Sequence, residues 1–191
     1  MSESTTTTIT APTTRQTTRT VARWMVSFVG FPLGGLAAMI LVGAVDSTVQ
    51  AIAGGLVTGA VLGAAQAWGM RADRRQTLTW TVLTAVGLSV GLAVGATVVD
   101  FGTTLGDLAV QGAVSGLAVG AAQAFALLPR VGTIALAWPV YLAAAWAAGW
   151  AISTSVGVQV EDQFTVFGAA GAVTVTLLTA VLPVLITTRH K

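Results

Sequence analysis

"GLVTGAVLGAAQAWGMR" (Gly55–Arg71) and "GAVSGLAVGAAQAFALL" (Gly112–Leu128) are two copies of one pattern. In the first, Gly55, Gly59 and Gly63 recur every fourth residue, and Gln66 follows three positions later. In the second, Gly112, Gly116 and Gly120 recur in the same way and Gln123 follows. At 100° per residue, the three glycines and the glutamine of each copy fall within about 80° of a helix surface. Small residues at that spacing let a second helix approach closely, and a buried amide can bond across the contact. Trp68 falls on the opposite face of the first copy and is expected to point outward. Both stretches therefore read as helices whose packed face is small and whose outer face is apolar.

Outward from these two stretches, the whole chain follows the same logic. Of its 191 residues 54% are hydrophobic and only 8% charged, with a mean hydropathy of +0.83. Soluble domains carry about 25% charged residues. Six stretches contain no Asp, Glu, Lys, Arg or His: 24–45, 49–70, 78–99, 108–128, 134–156 and 164–186. Each matches the roughly 20 residues needed to cross a bilayer's hydrocarbon core. Backbone groups in lipid must be satisfied internally, so such runs are helices. Continuous apolar runs do not fit a barrel's alternation. The fold class predicted is all-α, a polytopic membrane protein of six transmembrane helices in three tandem parallel hairpins.

The predicted hairpins span about 24–71, 80–128 and 138–182 within a membrane domain at 23–188. The odd-numbered stretches echo one another as the even ones do. Trp24 precedes Gly35, Trp80 precedes Gly91 and Trp138 precedes Gly149, each by eleven residues. The sixth stretch carries a decayed version of the glycine pattern in Gly168, Ala172, Thr176 and Thr179. Gly87, Gly91 and Gly95 form a similar groove on the third stretch. Repeats of this kind mark units that bury their faces against neighbouring copies.

Charge orients the path. Arg15, Arg19, Arg23, Arg71, Arg74, Arg75, Arg130, Arg189 and Lys191 all fall on one side of it. The opposite loops carry Asp46, Asp100, Asp107, Glu161 and Asp162. Basic residues remain cytoplasmic during insertion, so both termini are expected in the cytoplasm, the C-terminus as residues 189–191. The Ala, Gly, Val and Thr bias resembles that of membrane proteins of high-GC bacteria, which implies a bacterial plasma membrane. The basic balance reflects topology, and no nucleic acid is implied. Residues 1–22 are Thr-rich, with ten threonines in the first twenty positions, and are expected to form an unstructured cytoplasmic tail.

Several chemistries are excluded. Cysteine is absent, the one histidine is His190 and the one lysine is Lys191. No thiol nucleophile, histidine metal site or buried Schiff-base lysine can therefore be built in the apolar stretches. No enzyme activity, cofactor or metal is expected. Six helices in three like-oriented hairpins resemble the mitochondrial carriers in number and repeat logic. The odd stretches lack that family's Pro-x-Asp/Glu-x-x-Lys/Arg signature, so the family is not assigned.

The residues left as candidates are few. Gln66 and Gln123 are expected either to bond between helices or, with Thr179, to form a polar site around a pseudo-threefold axis. Trp24, Trp68, Trp80 and Trp138 are expected in an interfacial aromatic belt. Trp146 and Trp150 lie deeper and could line a ligand pocket beside Tyr141. Asp46, Asp100 and Glu161–Asp162 could share an outer cation site, or could simply solvate short loops. Pro32 and Pro183 are expected to kink their helices, whereas Pro139 sits in a first turn where proline is tolerated. Two functions fit. One is an accessory or scaffold subunit, bound by lipid and by another membrane protein or a second copy. The other is a small transporter, channel or binder of lipid or apolar ligands.

Overall fold

The computed structural model of the chain describes residues 14–157 and 166–189, and among these every regular element is helical. The helices are α1 (Thr14–Val26), α2 (Gly30–Leu41), α3 (Thr48–Gly69), α4 (Arg74–Val98), α5 (Leu105–Val131), α6 (Trp138–Ser155), α7 (Ala169–Thr179) and α8 (Val181–Arg189). Their boundaries follow local chemistry. Ser47 caps α3 by accepting the amide of Gln50. Asp73 with Gln76 and Thr104 with Asp107 form reciprocal capping boxes on α4 and α5, satisfying amides that a helix start leaves unpaired. Helix α1 begins at Thr14, so residues 14–22 of the expected tail are helical; residues 1–13 lie outside the described ones.

Two of the breaks are traceable to proline. A short 3-10 turn, Ser27–Val29, separates α1 from α2, just ahead of Pro32. Proline has no N–H to offer the carbonyl four residues back, here Phe28. The same reasoning applies to Pro183, whose missing bond falls on Thr179, the last residue of α7. Pro139 lies in the first turn of α6 and leaves that helix intact.

Five continuous helical runs are long and apolar enough to cross a membrane: Arg15–Leu41, Thr48–Gly69, Arg74–Val98, Leu105–Ser155 and Ala169–Thr188. The six expected stretches become five because helical turns run without interruption through 105–155. A six-residue 3-10 segment, Gly132–Ala137, joins α5 to α6 there. At 1.5 Å per residue a straight helix of that length would be about 76 Å long, over twice the roughly 30 Å of a bilayer core. The chain instead turns back at Gly132, whose φ of 66° and ψ of −153° suit only glycine. Beyond it α6 packs against α5.

The glycine grooves define how consecutive helices pair. A Cβ built on Gly55 would lie 2.6 Å from Ser89 Cα, one on Gly59 2.6 Å from Ala85 Cα, and one on Gly63 2.8 Å from Thr81 Cα. As numbers rise along α3 they fall along α4, so the two helices are antiparallel. Gly87, Gly91 and Gly95 face Val119, Ser115 and Gln111 of α5 in the same sense. Gly112, Gly116 and Gly120 face Trp146, Leu142 and Pro139 of α6. Every expected packing glycine meets the backbone of a neighbouring helix. In the first helix the partner of α3 is Gly34, against the carbonyl of Thr58, rather than Gly35, which meets Val166. The 3-10 turn winds at 3.0 residues per turn, and this rotates the face that follows it.

The helices close on themselves. Beyond the sequential pairs, α1 touches α7 and α8, and α2 touches α7. Phe31 packs on Trp146 and Phe167, with ring centroids 6.0 and 5.1 Å away. The interior is filled by Leu62, Leu88, Leu92, Leu108, Val119, Leu127 and Leu142. Outside, Val82, Val86, Val90 and Val94 form an exposed stripe on α4, turned about 120° from its buried glycines. Such a bare apolar face suits lipid or another apolar surface far better than water.

Candidate functional site

At the end of the molecule where α1, α3, α5 and α7 finish and α4 and α6 begin, three indoles are drawn inward. Trp80 Nε1 donates to Gln66 Oε1 at 3.0 Å, and Trp138 Nε1 donates to Gln123 Oε1 at 2.9 Å. Trp24 Nε1 donates to the Thr176 carbonyl at 3.0 Å and to Thr179 Oγ1 at 3.3 Å. In each joint, a tryptophan that opens one helix pair reaches the polar side chain near the end of another pair. The third joint ties the first pair to the last.

The two glutamines also meet. Gln123 Nε2 donates to Thr84 Oγ1 at 3.0 Å and lies 3.4 Å from Gln66 Oε1. The result is one chain of groups: Trp80, Gln66, Gln123 and Trp138, with Thr84 attached. Trp24 and Trp80 are each 1% exposed, Trp138 7% and Gln123 1%, so the network is buried apart from Gln66. Indole N–H groups and amides seldom stay unpaired at such depth.

This arrangement revises the expected site. Gln66 and Gln123 do come together, but Thr179 serves a separate joint with Trp24. Trp24, Trp80 and Trp138 are not an outer belt: they are core residues. Trp68 alone of the four points outward, 52% exposed. Trp146 and Trp150 are buried around Phe167, at centroid distances of 5.4 and 5.9 Å. Tyr141 stacks on Trp138 at 5.6 Å and donates to the carbonyl of Leu178.

Nearer the opposite end, α5 carries a second polar group, whose glutamine sequence reasoning passed over. Gln111 is 0% exposed, and neither its Oε1 nor its Nε2 has a hydrogen-bond partner. Ser115 Oγ, one turn along the same face, is likewise buried and unpaired. Spacing offered a signal: Gln111, Ser115 and Val119 recur every fourth residue, beside the groove of Gly112, Gly116 and Gly120.

Charged groups gather at the ends. Arg15, Arg19, Arg23 and Arg71 line one cavity beside α8, and Asp73, Arg75 and Arg130 line another beside Trp80. Asp46 and Asp100 are exposed at the far end, where Thr48 and Thr97 meet at 3.4 Å. Glu161, Asp162, His190 and Lys191 lie outside the described residues. Among the described residues no three His, Cys, Asp or Glu side chains gather as a metal site would require. No family model matches the chain, and no curated protein or solved structure matches it significantly.

Proposed function

We propose that this is a multi-pass protein of a bacterial plasma membrane that serves as an accessory or scaffold subunit of a membrane complex. Its path is six spans in three tandem hairpins, with both termini in the cytoplasm. The observation that carries the reading is the filled interior. The centre is occupied by interlocked leucines and aromatics, and the glutamines are spent on indole bonds between helix pairs. A bundle so joined inside and so apolar outside has its free surface available for another apolar surface, either a different membrane protein or a second copy. The fold-back at Gly132 supports counting 105–155 as two spans, and the segregation of arginines from outer aspartates supports the orientation.

Native mass spectrometry on protein gently extracted from its own membrane tests the subunit role. A mass equal to this chain plus a second polypeptide, or plus another copy, is the expected result. A lone chain under every mild condition would count against it.

Gln111 and Ser115 favour a second reading, a small transporter, channel or binder of apolar or lipid ligands. A buried amide without a partner costs about 1–3 kcal/mol, and a ligand could supply the missing bonds. Gln111→Leu separates the two readings. For a scaffold the variant should melt at or above the parent temperature and keep its partner. A stable variant that loses a co-purifying small molecule would transfer support to the ligand reading.

A further inference from the structure

We propose that the cavity between α1, the end of α3 and α8 holds the phosphate headgroup of an anionic phospholipid. The proposal rests on the membrane reading given above. The cavity measures about 390 Å³, within the roughly 300–1,000 Å³ typical of small-molecule sites. Arg15, Arg19 and Arg23 line it from α1, and Arg71 lines it from the turn after α3. The three α1 arginines are spaced by four, so they share one helix face. Among the described residues no carboxylate lines the cavity. Four guanidiniums around one hollow repel each other unless an anion sits among them.

Arg23 is the most fixed of the four. Its Nη2 donates to the Trp68 carbonyl at 3.0 Å, and its guanidinium carbon lies 4.6 Å from the centre of the Trp68 ring. These contacts hold the guanidinium in place on the wall of the cavity. An arginine already oriented by one bond and one stacking contact loses little freedom on meeting a phosphate oxygen.

The other wall is apolar, formed by Pro183 and Ile186 of α8 with Met70. That mixture separates a lipid from free phosphate. Arg23 immediately precedes Trp24, where the apolar stretch begins, so the cavity lies at the level where headgroup gives way to acyl chain. Basic pockets at the cytoplasmic ends of membrane helices bind anionic headgroups by this combination. The neighbouring cavity of about 410 Å³ differs in one decisive respect: Asp73 lines it together with Arg75 and Arg130.

The test is native mass spectrometry of the full chain reconstituted with phosphatidylglycerol or with phosphatidylcholine. The parent should retain one phosphatidylglycerol and no phosphatidylcholine. Arg19→Gln with Arg71→Gln leaves the Arg23–Trp68 contact in place and should lower phosphatidylglycerol occupancy at least about tenfold. Arg74→Gln with Arg75→Gln removes the same charge from the same end outside this cavity and should retain the lipid. Equal losses in the two double variants would overturn the proposal, since general surface charge would then explain binding. Displacement of the lipid by millimolar inorganic phosphate would overturn the lipid as the occupant. Failure of the underlying reading looks different. A chain released from membranes by alkaline carbonate without detergent is not an integral membrane protein, and the lipid site falls with that reading. A chain retained in the membrane but free of phosphatidylglycerol overturns the site alone.

Discussion

Gln123 shows most clearly what a single side chain contributes. Its carbonyl accepts from Trp138, its amide donates to Thr84, and it lies against Gln66. Replacing it with alanine removes its own bonds and strands a buried indole N–H as well. Interhelical bonds in membranes average about 0.6 kcal/mol and reach about 2 kcal/mol, whereas an orphaned buried donor costs about 1–3 kcal/mol. Gln123→Ala should therefore destabilise more than Trp138→Phe, which deletes the donor and keeps most of the ring's packing. Thermal melting in detergent should rank the two in that order, with coupling in the double variant of about 1 kcal/mol. Additive losses would show that the bond contributes nothing. The inward position of Trp80 was legible in the sequence, because Trp80 and Gly91 lie on one uninterrupted helix. Eleven residues make three turns plus 20°, so a tryptophan eleven before a packing glycine lies on the packed face. Reading tryptophan at a membrane end as a belt residue ignored that geometry. The lack of partners for Gln111 could not be read, because it depends on side chains from other helices.

At the scale of the element, the glycine faces decide how close the helices lie. A Cβ on Gly116 would sit 2.5 Å from the Leu142 carbonyl and 2.9 Å from Ala143 Cα. Both atoms belong to backbone, which cannot rotate away, so even alanine must push α5 and α6 apart. Gly116→Leu, and Gly59→Leu at the equivalent contact on α3, should cost about 3 kcal/mol or more through overpacking. Gly106→Ala is the matched control: its nearest neighbour would be Thr104 Oγ1 at 3.8 Å. It should be neutral or slightly stabilising, since alanine is the better helix former. Similar yields of folded protein from the Gly106 and Gly116 variants would refute the close-packing argument. The helices and their glycine faces were readable in advance because period and charge-free length carry that information. The ten-residue register at Gly34 was not, because the 3-10 turn ahead of Pro32 rotates the helix by an amount that spacing alone does not reveal.

For the whole molecule, the 105–155 run decides how often the chain crosses. If the run crosses twice, Ser155 lies outside with Asp46 and Thr103, while Thr133 and the C-terminus lie in the cytoplasm. If it crosses once, Ser155 lies in the cytoplasm and the C-terminus outside. The antiparallel pairing of α5 with α6 supports two crossings, because Gly112 and Gly120 meet opposite ends of α6. Charge agrees: a single crossing would leave Arg130 at bilayer depth and carry Arg189 and Lys191 outward, against the bias of every other basic residue. The chain lacks cysteine, so single cysteines can be introduced without a background. Asp46→Cys, Thr103→Cys and Ser155→Cys should react with a membrane-impermeant maleimide added to intact cells. Thr133→Cys and Thr188→Cys should react only after the membrane is opened. Protection of Ser155→Cys together with labelling of Thr188→Cys would establish five crossings instead. The basic cavity between α1 and α8 would then be left without a membrane leaflet to face, since its two helices would end on opposite sides.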